Sequence, residues 1–209
     1  FPLYRYDDHS NRLDNITDWG LEQFRQHYLA LRPRTRKIQK LDIFHYTYAV
    51  LHYPVYRQKY EQNLKRELPR LPCYPNFWQW VQWGQQLMEW HLNYETVDPY
   101  PLTRQDQKLA ATVRNKVRLK ADKVAGHILV DDQTTLTGVP PIAWEYQLGN
   151  RSALEWILDQ YQEKKPKDLT IAEQFNTYQF ADYQEKVIDL LQRVCTVSVK
   201  TMEIVQAMR

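Results

Sequence analysis

The spacing of apolar residues changes near the middle of this chain of 209 residues, and that change limits the folds open to it. Up to about residue 95, apolar side chains recur at intervals of three and four, as on one face of a helix. After a segment rich in proline and charge, about 96–108, they first alternate with polar residues, as in half-buried strands, and helical spacing returns later. The sequence therefore predicts the α+β class, with an N-terminal helical lobe over 1–100. A sheet-plus-helix lobe over 106–209 follows, with a small antiparallel sheet packed by helices and a long helix, about 183–207, at its end.

Residues that begin and end helices divide the first lobe further. Helices are predicted over about 18–31, from a cap at Asp42, over about 54–67 and over about 76–95. Gly84 lies in the middle of the apolar stripe of the last of these helices. A glycine there predicts the close approach of a neighbouring element, because it lacks a Cβ.

The second lobe opens with three strand-like runs, about 113–120, 126–130 and 133–138. Asp131-Asp132 is suited to a tight turn between the last two runs. A distinctive block, GVPPIAWEYQLGNRSALEWILDQY, then spans 138–161.

Within that block the pattern predicts a short strand, a turn and a helix. Trp144 and Leu148 are apolar residues of an alternating run, which favours a half-buried strand. Gly149 and its neighbour Asn150 form a turn. Ser152, with a glutamate three residues later, has the spacing of a capping box and predicts the start of a helix.

The run over 113–120 has the clearest potential for binding. As a strand it places four cations on one face: Arg114, Lys116, Arg118 and Lys120. Like charges on one face repel each other unless an anionic group lies opposite, and a DNA backbone would supply that charge. The alternative is a solvated outer face, or an edge strand that its charges protect from pairing.

Two further groups of residues could contact DNA. Arg34, Arg36 and Lys37 lie in a basic loop, and arginine matches phosphates and guanine edges with two hydrogen bonds. The alternative is an ordinary flexible surface loop. Asn150 could read adenine and Arg151 guanine, whereas the alternative assigns both to turn geometry and support of the helix cap.

The sequence lacks the motifs that are typical of several classes of enzyme and metal-binding protein. The chain contains neither a GxGxxG cofactor loop nor a GxxxxGK[ST] phosphate loop, and no CxxC spacing. Cys73 and Cys195 are therefore interpreted as two buried, reduced thiols of a cytoplasmic protein. The net charge of +3 permits a nucleic-acid partner without requiring one. No apolar run is long enough to span a bilayer. Because the chain begins at Phe1, we expect it to be a piece of a longer polypeptide.

Five segments together resemble the C-terminal part of type ISP restriction–modification enzymes. In chain order they are FPLYRY (1–6), DIFHYTYAVLHYPVYRQKYEQNLKRELPRLP (42–72), GQQLMEWHLNYE (84–95), the block at 138–161 and VIDLLQRVCTVSVKTMEIV (187–205). They cover most of the chain. Such enzymes are single-chain proteins with nuclease, helicase-type ATPase, adenine methyltransferase and DNA target-recognition regions.

The resemblance implies that residues 1–209 are one target-recognition domain without catalytic activity of its own. Its partners would be double-stranded DNA and the methyltransferase and helicase domains of the same polypeptide, and it would position a target adenine for methylation. This fragment would hold no cofactor or metal, whereas the parent enzyme would use S-adenosylmethionine, ATP and Mg. The alternative is a helical interaction module that docks on the methyltransferase or helicase region without direct base readout. A free-standing RNA-binding domain is disfavoured, because the chain has no RNP-like aromatic strand or GXXG loop.

Overall fold

A computed structural model of the chain describes residues 2–31, 36–108, 115–163 and 178–209. These residues form helices and small antiparallel sheets, and the last element in the chain is a long helix. The predicted α+β class is therefore confirmed.

The chain divides into two compact units. Unit 1 consists of Phe1–Leu92 together with Ile204–Arg209, and unit 2 consists of Asn93–Glu203. The predicted lobes, 1–100 and 106–209, differ from these units at the C terminus. There, Ile204 and Met208 pack with the apolar core of unit 1.

The described part of unit 1 contains one hairpin and five complete helices. The strands are β1 (Tyr4–Tyr6) and β2 (Arg12–Asp14). The helices are α1 (Asp18–Leu31), α2 (Lys40–His52), α3 (Pro54–Lys59), α4 (Glu61–Leu64) and α5 (Phe77–Leu92). The predicted helix over 18–31 is confirmed.

Two predictions in unit 1 need correction. Asp42 is not the cap of α2, because the helix begins at Lys40 and Gln39 is its N-cap residue. The Asp42 carboxylate instead accepts a hydrogen bond from the Gln39 N–H at 2.8 Å, from a position inside the first turn. The helix predicted over 54–67 is two short helices, because Tyr60, with φ −110° and ψ 19°, leaves the helical conformation between them.

Helices α2 and α5 form the centre of unit 1. Tyr46 of α2 is fully buried and stacks on Phe77, with ring centroids 5.1 Å apart. Its hydroxyl donates to Pro72 O at 2.6 Å and accepts from Tyr74 N–H at 2.8 Å, so the aromatic core has its polar atoms satisfied. The predicted close approach at Gly84 is confirmed, because a Cβ there would lie 1.7 Å from His45 O.

Two histidines of unit 1 share one tyrosine. Tyr48 Oη and His91 Nδ1 are hydrogen-bonded at 2.7 Å, and His52 Nδ1 lies 2.7 Å from Tyr48 O. Burial, and to a lesser extent the nearby His52, lower the pKa of His91 from 6.5 to about 4. Burial also lowers the pKa of His52. Both rings are therefore neutral in the folded chain near pH 7.

Unit 1 should lose stability in mild acid. As the pH falls through 6.5, the unfolded chain takes up protons at these positions before the folded chain does, so the unfolded state gains in relative stability. The contribution of neutral His91 is present above about pH 7 and is lost between 6.5 and about 4. We expect a loss of about 2 kcal/mol between pH 7 and 4.5, measured by urea unfolding. His91→Gln should flatten this dependence, and an unchanged pH slope in that variant would contradict the assignment.

Unit 2 is built on a four-stranded antiparallel sheet in the order β3-β6-β5-β4. Its strands are β3 (Thr103–Asp106), β4 (Val117–Asp122), β5 (His127–Asp131) and β6 (Thr134–Thr137). The last two strand predictions are confirmed, although the turn between them lies at Asp132 and Gln133, one residue later than expected. β3 and β4 are therefore the two edges of this sheet.

The distinctive block folds differently from its prediction at one point. Pro141–Glu145 form a 3₁₀ turn that buries Trp144, so the predicted strand is reduced to β7 (Gln147–Leu148). The physical reason is Pro141, which has no N–H for a ladder and suits the first position of a helical turn. β7 pairs with β8 (Arg151–Ser152), and the predicted turn joins the two strands.

The predicted capping box is present at the start of α6 (Ala153–Gln160). Glu155 N–H donates to Ser152 Oγ at 3.3 Å, and Ser152 N–H donates to Glu155 Oε2 at 2.9 Å. Burial alone would raise the pKa of Glu155, but Lys123 and these hydrogen bonds lower it. The carboxylate thus stays charged where it caps the helix.

The last helix, α7 (Gln184–Ala207), confirms the helix predicted over about 183–207. Val187, Leu191 and Cys195 on it are fully buried in the core of unit 2, together with the sheet and α6. Among the described residues, no helix combines the length and apolar character needed to cross a membrane.

Candidate nucleic-acid interface

The basic run forms an edge strand with a bulge. β4 begins at Val117, later than the predicted start at residue 113, and Arg114 lies outside the described residues. The register with β5 shifts between Val117 and Lys120, and Leu119 has a positive φ of 40°. A bulge bends its strand and changes the direction of its side chains.

The side-chain alternation survives this bulge. Leu119 is buried at 2% exposure, while Lys116, Arg118 and Lys120 are exposed. The three described cations of the predicted set therefore share the solvent side of an edge strand.

These cations differ in what they contact. Arg118 Nε donates to Asp132 Oδ1, and the Lys116 N–H donates to Asp132 Oδ2 at 3.2 Å. In the part of the chain that the structure describes, no carboxylate pairs with the ammonium groups of Lys116 and Lys120. These two lysines are available for an external anion.

The basic strand lines one side of an open groove of about 710 Å³. The residues that line it are Asn115, Lys116, Val117, Arg118, Lys120, Asp131, Gln162, Glu163, Gln179, Phe180, Ala181 and Gln184. The side away from the basic strand comes from Gln162 and Glu163, just after α6, and from Gln179 with the 3₁₀ turn that follows it, Phe180–Asp182. No sequence pattern pointed to that side, because its residues are far apart in the chain.

Asp131 holds the base of this groove together. It is 5% exposed, and its Oδ1 accepts from the N–H groups of Gln133 and Thr134 at 2.8 and 2.6 Å. Its Oδ2 accepts from Asn115 Nδ2 at 3.0 Å and Gln184 Nε2 at 3.1 Å. One carboxylate thereby connects the hairpin turn, Asn115 (two residues before β4) and α7.

The predicted basic loop belongs to unit 1. Arg34 lies outside the described residues, and Lys37 is exposed. Arg36 donates to the Asp42 carboxylate at 2.9 Å, and its guanidinium lies 4.9 Å from the centre of the Trp78 ring. These contacts connect Arg36 to the start of α2, and DNA contact by Arg36 and Lys37 stays a prediction.

The turn residues Asn150 and Arg151 do not line the groove. Arg151 forms an ion pair with Asp159 at 3.1 Å and lies 5.4 Å from the centre of the Trp156 ring. Asn150 is exposed beside Gly149, whose φ is +73°. Base contact by Asn150 and Arg151 stays a prediction.

The described residues also bear on metal binding. Among them, no group of three or more histidine, cysteine or carboxylate side chains is arranged to hold an ion. Cys195 is fully buried as predicted, and burial raises the pKa of its thiol to about 12. The predicted burial of Cys73 is wrong, because that residue is exposed.

Comparison with models of known protein families identifies the family of this chain. The profile described as the Type ISP C-terminal specificity domain matches residues 1–190. The chain belongs to this family. A search of curated proteins returned no match for the specificity domain.

Solved structures resemble the specificity domain over nearly its whole length. One is a cryo-EM structure of a DrdV–DNA complex, with 50% sequence identity to this chain and a TM-score of 0.91. The match covers 98% of this chain and 21% of the DrdV chain. A nuclease-deletion mutant of the Type ISP restriction-modification enzyme LlaGI, in complex with a DNA substrate mimic, is 28% identical with a TM-score of 0.69. That match covers 100% of this chain and 18% of the other.

A third structure is the ATP-dependent Type ISP restriction-modification enzyme LlaBIII bound to DNA. It is 25% identical with a TM-score of 0.68, covering 99% of this chain and 13% of that one. The specificity domain thus spans about a fifth or less of these chains. Two of the three structures contain DNA, and the LlaGI structure contains a DNA substrate mimic.

Proposed function

We propose that this specificity domain recognises double-stranded DNA for a larger restriction–modification enzyme, and that the groove of unit 2 is where it binds. The observation that carries the proposal is the row of exposed cations, Lys116, Arg118 and Lys120, along an open groove. Lysine ammonium groups bind phosphates as point charges, and each phosphate they neutralise releases counterions. The DNA in two of the similar structures, and the DNA substrate mimic in the third, support the same conclusion.

The remaining activities belong, in this proposal, to the rest of the parent polypeptide. The domain would be non-catalytic, and it would position a target adenine for a methyltransferase domain of the same chain. That domain would use S-adenosylmethionine, and a helicase-type ATPase would use ATP and Mg. The match to only a fifth or less of the similar chains is consistent with this division.

Removing the two unpaired lysines should weaken DNA binding and reduce its salt dependence. We expect Lys116→Gln with Lys120→Gln to lower the affinity roughly 10-fold at low salt and the slope of log K against log salt by about 2, one per phosphate contact. Fluorescence anisotropy with a labelled duplex, over a series of salt concentrations, measures both quantities.

The matched control removes two exposed lysines that do not line the groove, Lys59 and Lys108. Lys59→Gln with Lys108→Gln changes the net charge equally and should leave the slope nearly unchanged. If both double variants alter the slope equally, net charge rather than the groove determines binding. If neither does, the groove is not the DNA site.

A second candidate function is docking on the methyltransferase or helicase region. The observation that favours it is that three large apolar side chains of unit 1, Trp19, Leu68 and Leu92, are 74%, 74% and 73% exposed. Such side chains mark a protein–protein contact where they form one contiguous patch. Under this function the domain would contribute no base readout, and the salt slope would not depend on Lys116 and Lys120.

A further inference from the structure

Among the amide side chains that line the groove, Gln179 differs from the others in its hydrogen bonding. It is exposed, and no residue that the structure describes hydrogen-bonds to its carboxamide. The other amides are occupied. Asn115 binds Asp131 and the Asp132 N–H, Gln184 binds Asp131, and Gln162 Nε2 donates to Leu119 O at 3.4 Å.

The backbone on both sides of Gln179 is held in place. Tyr178 Oη donates to Tyr161 O at 2.9 Å, and its ring stacks on Tyr183 at 5.5 Å. Phe180 is 1% exposed, and its N–H donates to Glu163 Oε1 at 2.9 Å. A free side chain on a fixed backbone is suited to specific recognition, because little further ordering is needed on binding.

The carboxamide and the lysine side chains of the groove suit different parts of DNA. A carboxamide has a donor and an acceptor side by side, which match N7 and the N6 amino group of adenine in the major groove. Lysine has donors only and suits phosphates. Arg118 Nε is occupied by Asp132.

We infer that Gln179 reads a base, with adenine as its preferred partner, while Lys116 and Lys120 hold the backbone. This inference rests on the proposed function, since it requires duplex DNA in the groove. The scaffold around it consists of Asp131, Asn115 and Gln184, whose amides and carboxylate bind one another rather than DNA.

The test is selection of duplexes from a randomised library by the whole 209-residue chain, followed by sequencing. We expect wild type to enrich adenine at one position, and Gln179→Ala to reduce that preference roughly 5- to 100-fold. The preferences at other positions and the salt slope should not change. Gln179→Arg should shift the same position towards guanine, which a merely structural role would not produce.

The matched control is Gln105→Ala. Gln105 is also exposed and lies in β3, at the opposite edge of the same sheet, so its variant should select the same duplexes as wild type. Thermal unfolding verifies that each variant is folded.

The possible failures are distinguishable. If wild type enriches no duplex at all, the inference and the proposed function both fall. If wild type binds duplexes without base preference, or if Gln179→Ala keeps every preference, the inference is overturned and DNA binding by the groove stands.

Discussion

Gly84→Ala should destabilise unit 1 by at least about 3 kcal/mol or prevent it from folding. Alanine is the better helix former by about 1 kcal/mol, so helix propensity alone would predict a gain in stability. At position 84, packing outweighs helix propensity, so the substitution lowers the stability. The added Cβ would lie 1.7 Å from His45 O and 2.5 Å from His45 C, which are backbone atoms that cannot rotate away. Helices α2 and α5 would have to separate, and the buried contacts around Tyr46 would loosen with them.

Gly20→Ala provides the matched control. Gly20 also lies in a helix, α1, but among the described residues the one atom that a Cβ there would meet is Thr17 Oγ1, at 3.4 Å. We expect that variant to be neutral or more stable by up to about 1 kcal/mol. Urea unfolding followed by tryptophan fluorescence compares the two, since Trp80 and Trp83 lie on α5 beside Gly84. Equal stability of the two variants would show that helix propensity, not the helix contact, governs position 84.

The contrast between these glycines illustrates which parts of the fold can be predicted from sequence. Local rules worked where one short segment determines the outcome. The Ser152–Glu155 cap, the last helix and the close approach at Gly84 each follow from spacing within one element. The prediction at Asp42 was wrong by a small margin, because an aspartate inside the first turn stabilises a helix start as well as a cap does.

The predictions that fell short depended on residues far apart in the chain. The bulge at Leu119 arises from pairing with β5 and is supported by Gln162, and periodicity within 113–120 contains no information about either. For the same reason the side of the groove that contains Gln179 had no sequence signal. The basic strand could be predicted as a charged face, but its ion pair with Asp132 could not.

Asp131→Asn should cost unit 2 about 3 kcal/mol, more than any other single-atom change near the groove. Both carboxylate oxygens accept two hydrogen bonds each, and all four donors are amide N–H groups. Asparagine must place an NH₂ group against two of those donors, whichever way its side chain is turned. Because Thr134 is 3% exposed, its N–H cannot turn to water instead.

The neighbouring variant Asp132→Asn is a control for the loss of charge. It removes the same negative charge, but from a side chain that is 19% exposed. Its ion pair with Arg118 is partly solvated, so we expect a cost of about 1 kcal/mol or less. Amide hydrogen exchange at Gln133 and Thr134 is the sharpest measurement, since it reports opening of this turn alone. Faster exchange at both amides in Asp131→Asn, with little change in Asp132→Asn, is the expected result. If the two variants exchange alike, charge at the turn matters more than the buried hydrogen bonds. The Asp131 carboxylate would then not be what joins the hairpin, the basic strand and α7 at the base of the groove.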